Sequence, residues 1–260
     1  MKIANYDTDL TDAQWAFLQP MLSKPAKRGR PPQDRRRVID AILYLVKCGC
    51  PWRYLPADFP NWKTVYHVFR QWVANHQWAV IHDTLRVLVR RSRHKRSRPT
   101  AAILDSQSVK SAGHGGPVGY DAAKHIKGRK RHLLVDTLGL ILGVAVTPAN
   151  VTERDGAQIL LARVLGWFTW LRLLWVDGGY SGNAFAQWVK GRRPKLDVEV
   201  VKRSAHTKGF KVRPCRWIVE RTFGWLMRHR RLVRDYETTE ASAEAWIRIA
   251  MIRIQLRRLA

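Results

Sequence analysis

The spacing of apolar residues changes once along this chain, near residue 100. Before it, the spacing is helical. Trp15, Leu18 and Leu22 fall on one face, behind Thr11 as an N-cap and Gln14 three residues on, a capping-box pattern. Gly29-Arg30-Pro31-Pro32 interrupts, in a short segment made basic by Lys24, Lys27, Arg28 and Arg30. Asp34 then opens a helix over Arg35–Cys48, with Val38, Ile39, Ile42, Leu45 and Val46 on its apolar stripe. Cys48-Gly49-Cys50-Pro51-Trp52 ends it, glycine supplying the cap and proline forbidding continuation. A third helix starts at Pro60-Asn61-Trp62 and runs through Val68, Phe69, Trp72 and Val73. A fourth covers Ala79 to Val89.

After the break the pattern is that of strands and crossovers. Strands are expected at Ala101–Lys110, Arg129–Asp136 and Leu140–Thr147, joined by short turns as an antiparallel meander. A helix over Ala157–Leu165 leads to the strand Leu171–Val176. A helix over Asn183–Lys190 leads to a fifth strand, Val198–Lys202. Alternating strand and helix imply parallel crossovers, hence a mixed five-stranded sheet flanked by helices. The remainder reads as two helices, from Cys215 to about Arg231 and from Ser242 to Leu259.

Composition divides the chain at the same place. Arg90-Arg91-Ser92-Arg93-His94-Lys95-Arg96-Ser97-Arg98-Pro99 holds no apolar residue. The expected organisation is therefore a helical domain over 1–89, a basic linker over 90–99 and an α/β domain over 100–260. The formal net charge of +27 repels itself and calls for a polyanionic partner, nucleic acid before an anionic membrane. No apolar run is long enough to span a bilayer, and the N-terminus lacks the apolar core of a secretory signal. Cys48, Cys50 and Cys215 form no disulfide or zinc pattern and read as reduced, cytosolic thiols.

Against 47 Lys plus Arg there are only 20 Asp plus Glu, so the acids in apolar settings stand out. Asp105 lies in the strand Ala101-Ala102-Ile103-Leu104-Asp105-Ser106. Asp177 ends Leu171-Arg172-Leu173-Leu174-Trp175-Val176 and precedes two glycines. A carboxylate there is costly unless it is paired or binds a cation. Glu220 is a third candidate, one helical turn after Arg216, although an Arg–Glu pair on a helix surface is the plainer account of that spacing. Glu153 and Asp155 read as first-turn helix acids, Asp136 as a turn residue, and Asp235 as part of a polar connection.

Together these motifs resemble a known family. Leu104-Asp105-Ser106-Gln107-Ser108-Val109-Lys110, Gly128-Arg129-Lys130-Arg131-His132, Trp175-Val176-Asp177-Gly178-Gly179-Tyr180 and Arg216-Trp217-Ile218-Val219-Glu220-Arg221-Thr222-Phe223 are similar to the DDE transposases of bacterial insertion sequences, the insertion-sequence-five group above all. Leu10-Thr11-Asp12-Ala13-Gln14-Trp15, Gly49-Cys50-Pro51-Trp52-Arg53 and Thr64-Val65-Tyr66 extend the likeness to the N-terminal third. The resemblance implies a ribonuclease-H-like catalytic core behind an all-α, helix-turn-helix-like domain. It implies Asp105, Asp177 and Glu220 as catalytic metal ligands for Mg²⁺, with Mn²⁺ as a substitute. The activity implied is cleavage at the inverted repeats of the element and joining of the 3′-hydroxyl ends to target DNA. Double-stranded DNA is the implied partner, with a homodimer at synapsis, in the cytoplasm at the bacterial nucleoid. The rival functions are a stand-alone nuclease and a repressor with an inactive core.

DNA contacts are expected from Arg53, Trp62, Lys63 and Thr64 at the third helix, and from Lys124, Lys127, Arg129, Lys130 and Arg131 beside Asp105. Lys202, Arg213, Arg216 and Arg228 complete the set. The family pattern around its glutamate carries a tyrosine and a lysine where this chain has Arg213 and Met227, and Arg228 is expected to serve for the lysine.

Overall fold

The computed structural model describes residues 6–22, 33–112, 116–201 and 215–260. The basic arm at residues 24–30, Lys202 and Arg213 lie outside them. Two compact units form. One comprises residues up to Arg93 together with Leu226–Val233 and Ala245–Ala260. The other comprises His94–Trp225 and Arg234–Glu244.

The first unit holds α1 (Asp12–Leu18), α2 (Arg35–Cys48), α3 (Trp62–Ala74) and α4 (Gln77–Ser92). Thr11 and Gln14 make the expected capping box, and Asp34 caps α2 by accepting from the Arg36 and Arg37 amides. Gly49 ends α2 at φ 73°, a left-handed conformation that glycine adopts freely. The apolar stripes of α2, α3 and α4 bury Ile42, Leu45, Val65, Phe69, Ile81 and Leu85.

The sequence division at residues 90–99 differs from this one in two ways. Helix α4 continues through Arg90 and Arg91, and Arg90 is buried. The chain end also belongs to the helical unit: Trp246 stacks on Phe69 with centroids 4.7 Å apart, and the Arg231 guanidinium lies 4.5 Å from the Trp246 ring centroid. Local spacing could not reveal a core completed by residues so distant in sequence.

The second unit is built on a mixed sheet of β1 (Ala101–Lys110), β2 (Gly119–Asp121), β3 (Ile126–Asp136), β4 (Ile141–Pro148), β5 (Leu173–Val176) and β6 (Asp197–Val200). Strands β1, β3 and β4 form the expected antiparallel meander, and β5 and β6 add in parallel beyond β1. Short β2, absent from the sequence expectation, pairs with the start of β3. The connections carry α5 (Glu153–Val164) and α6 (Asn183–Arg192). Their apolar faces meet Leu104, Leu134, Leu174 and Val176 of the sheet in one cluster with Leu160, Leu161, Phe185 and Val189.

Helix α7 (Trp217–Met227) follows β6, then α8 (Arg230–Val233) and α9 (Glu240–Leu259). A single helix from Cys215 to about Arg231 is thus replaced by two, with a break at Arg228 and His229. The layering of sheet and helices is ribonuclease-H-like, with a helical N-terminal region, as expected.

Candidate active site

Strand register brings the first two acids together. The parallel pairing of β1 with β5 sets Ala101 beside Leu173, Ala102 beside Leu174 and Ile103 beside Trp175. Two further steps along each strand reach Asp105 and Asp177. Parallel neighbours in register point the same way, so the two carboxylates sit side by side, Asp105 midway along β1 and Asp177 just past the end of β5. Asp177 leaves β5 to cap a 3₁₀ turn, its Oδ1 accepting from the Gly179 amide at 2.9 Å.

Glu220 joins them through Arg216. The Arg216 Nη2 lies 3.5 Å from Asp177 Oδ2, 3.5 Å from Glu220 Oε1 and 3.9 Å from Asp105 Oδ2. One guanidinium thus lies within ion-pair distance of three carboxylates, from β1, the turn after β5 and α7, and offsets only part of their charge. Arg216 Nε is buried and makes no hydrogen bond, so charge more than hydrogen bonding holds the head there. Burial pushes the Asp105 carboxyl up to about 6, against the lowering effects of the Ser106 amide and Arg216. Asp105 is thus a desolvated acid that gains from any added cation.

A fourth carboxylate stands at the same place. Glu153, the first residue of α5, accepts from the Ser106 hydroxyl at 3.2 Å and from Lys124 Nζ at 3.0 Å, both through Oε1. Sequence reasoning set Glu153 aside as a first-turn acid. It is one, since Thr152 caps α5 by accepting from the Asp155 amide. The overlooked signal was that the α5 N-terminus directly follows β4, within reach of Ser106, the neighbour of Asp105.

The set of three acids is all oxygen and anionic, which suits a hard divalent cation. As they stand, the acids gather round Arg216, and among the described residues no three His, Cys, Asp or Glu side chains are spaced to share one ion. The donors are right for the group, and the guanidinium marks a place where positive charge is stable.

The basic run of β3 is not a surface. Arg129 donates to the carbonyls of Pro117 and Thr238 and faces Asp235, both side chains being almost wholly buried. Lys130 donates to the Val151 carbonyl and pairs with Asp121 at 3.4 Å. Burial lowers the Arg131 guanidinium to about 10. All three side chains are buried, contrary to the exposure that a DNA-gripping role would call for. Their counter-charges come from β2 and from the connection between α8 and α9, elements that the sequence pattern did not reveal. Lys124, in the turn between β2 and β3, and Lys127, the second residue of β3, are exposed.

In the helical unit, Arg53 and Lys63 are exposed beside Trp62, their charged heads 5.3 Å and 6.0 Å from its ring centroid. Thr64 is half-buried. The exposed side of α3 continues through His67 and Arg70, one turn apart and missed by the sequence reading, with Arg70 bonded to the Tyr66 hydroxyl at 3.1 Å. Arg228 is exposed but lies past the end of α7, so a helical-wheel argument from Glu220 does not reach it.

No helix among the described residues is long and apolar enough to cross a membrane. The chain matches the Transposase DDE domain family over residues 96–254 and the IS4/5-family transposases over residues 10–82. It is also similar to an uncharacterised 16.2 kDa protein of insertion element IS402 from Burkholderia cepacia. That similarity is 29% identity over 117 residues, covering 42% of this chain and 78% of the relative. With two acids set side by side by the pairing of β1 with β5, a third on the helix behind them and a family match spanning most of the α/β unit, the chain belongs to the DDE transposases of insertion sequences.

Proposed function

We propose that this chain binds the terminal inverted repeats of its own insertion element, cleaves the DNA there and joins the freed 3′-hydroxyls to target DNA. The observation that carries the reading is the convergence of Asp105, Asp177 and Glu220 on one cationic head. Asp105, Asp177 and Glu220 hold the divalent metal, Mg²⁺ or Mn²⁺. When bound, such ions activate the attacking oxygen and stabilise the leaving one.

The remaining residues position DNA. Lys124, which reaches Glu153, and Lys127, at the start of β3, are exposed and meet backbone phosphates. Such contacts fix register without reading sequence. Arg53, Trp62, Lys63 and Thr64, joined by His67 and Arg70, form the end-binding face of the helical unit. Were the acids to hold a metal, the Arg216 guanidinium would be available to a phosphate. Because an element has two ends, the active form is a homodimer at synapsis, working on the bacterial nucleoid.

The test is incubation with the element's own ends, target DNA and Mg²⁺, followed by sequencing of products. Asp105→Asn, Asp177→Asn and Glu220→Gln should each abolish cleavage while keeping fold and DNA binding. Cleaved ends without joined products would make the chain a nuclease. Binding without cleavage by the unmutated protein would make it a repressor.

A further inference from the structure

Glu153 and its neighbours are built more carefully than a helix-capping acid requires. Its Oε1 is held twice, by Ser106 Oγ and by Lys124 Nζ. Its Oε2 makes no hydrogen bond and faces the backbone of Gly179. A Cβ added at Gly179 would collide with that oxygen and would lie 3.0 Å from Asp177 Oδ1. The free oxygen of Glu153 and the carboxylate of Asp177 therefore flank one point, and glycine at 179 leaves it open. Gly179 has no left-handed backbone angle to explain its identity; the close approach of two acids does.

A second observation comes from beneath. Tyr180 is 1% exposed, and its hydroxyl turns toward Ser106 without completing a hydrogen bond. Asp105, Glu153 and Asp177 all act on that phenol, adding to the burial that raises it well above its ordinary value. A buried hydroxyl left unmatched among acids needs some further partner in the working state.

We propose that Glu153 is a fourth acid of the centre, its free Oε2 reaching the cation held at Asp105 and Asp177, with Lys124 as the built-in counter-ion that otherwise compensates it. The proposal rests on the reading that Asp105 and Asp177 bind a divalent cation. Lys124 sits on the hairpin turn after β2, anchored by its own amide donating to Asp121 at 3.2 Å. Its side chain is 39% exposed, so a DNA phosphate can draw the ammonium from Glu153. Arrival of DNA would then free an acid for the metal, coupling the two events through one lysine.

The experiment measures Mn²⁺ binding to the full chain without DNA, by electron paramagnetic resonance, alongside thermal unfolding. Glu153→Gln keeps the acceptor for Ser106 and Lys124 but loses the charge. It should weaken Mn²⁺ binding at least tenfold, within the range seen when groups around a metal are altered, at unchanged unfolding temperature. Lys124→Met should tighten binding, and the double variant should follow Glu153→Gln. Unchanged Mn²⁺ affinity in both single variants overturns the proposal. Asp105→Asn separates the two levels of inference. If Asp105→Asn loses Mn²⁺ and Glu153→Gln does not, the fourth acid falls and the site stands. If Asp105→Asn binds normally, the site itself is misassigned. Should Glu153→Gln unfold, Glu153→Asp takes its place: it keeps the charge but withdraws the oxygen by one methylene, so it should weaken Mn²⁺ binding, and unchanged affinity would overturn the proposal.

Discussion

Replacing Arg216 by glutamine should tighten metal binding in the absence of DNA, although arginine is the residue that offsets part of the charge of the three acids. Arg216 occupies the place that a cation would take, with one nitrogen 3.5–3.9 Å from all three carboxylates. A metal ion must displace it, so the free energy of that contact is subtracted from the free energy of metal binding. Exposure sets the size. The Arg216 side chain is 18% exposed, Asp105 12%, Asp177 21% and Glu220 56%. Part-exposed pairs contribute roughly 0.2–1 kcal/mol each, and three of them give about 0.6–3 kcal/mol. That range corresponds to roughly 3- to 150-fold in affinity. The value belongs toward its lower end, because no short hydrogen bond holds the guanidinium.

The assay is calorimetric titration of Mn²⁺ into Arg216→Gln and the parent protein at pH 8. Asp105 stands at about 6 with Arg216 present, and Arg216 acts to lower it. In the variant, Asp105 rises further, so protons compete better with metal and the gain must shrink as the pH is lowered toward 6. The same variant should cleave DNA ends more slowly, having lost a phosphate contact. Equal or weaker Mn²⁺ binding by Arg216→Gln at pH 8 would refute the displacement argument.

Three other outcomes follow from the same structure. Arg129→Ala removes one member of a buried pair and should cost about 3–5 kcal/mol of stability in urea denaturation, whereas Lys127→Ala should leave stability unchanged and lower the salt dependence of DNA binding by about one phosphate contact. His132, wholly buried with Nε2 3.0 Å from Thr147 Oγ1, is lowered to about 4 by burial; the unfolded chain therefore binds the extra proton first, and about 3 kcal/mol of stability present above pH ~6.5 is lost as the pH falls toward 4. Denaturant titrations should show this slope flattened in His132→Gln. Lys63→Ala and Arg70→Ala, on the exposed side of α3, should each weaken binding of the full chain to the element's end in gel-shift assays, and unchanged affinity in both would move end recognition off this helix.

How much of this was legible beforehand depends on what each residue has for a neighbour. Local periodicity located nearly every element, because the stripe on α2 or the apolar run of β5 is decided by contacts along a single segment. Asp105 and Asp177 were legible for a related reason, since each is a lone carboxylate on an apolar strand and the cost of burying it shows in the sequence. Residues whose role depends on a distant partner were not legible. Asp235 reads as a polar connection until Arg129 is set beside it, and Glu153 reads as a helix cap until Gly179 and Lys124 are.

The misreading of β3 follows from the same cause and changes how the net charge of +27 should be understood. Arg129, Lys130 and Arg131 add positive charge to the count but are buried. Asp121 and Asp235 are taken up in matching the first two, and Lys130 and Ser108 converge on Asp121. Several of the scarce acids are thus committed inside the α/β unit, Glu153 among them as the partner of Lys124, while Lys127 and the exposed α3 residues Lys63 and Arg70 lie at the surface. The exposed charge of Lys124, Lys127, Lys63 and Arg70 sits on the β2–β3 hairpin and on one helix face, instead of on the basic run of β3. That placement has a test. Charge-reversal variants Lys127→Glu and Lys63→Glu should each weaken binding of a long nonspecific duplex far more than Arg35→Glu, a half-buried position at the start of α2. All three change the net charge by the same amount, so equal losses would mean that overall charge, and not its placement, governs DNA binding.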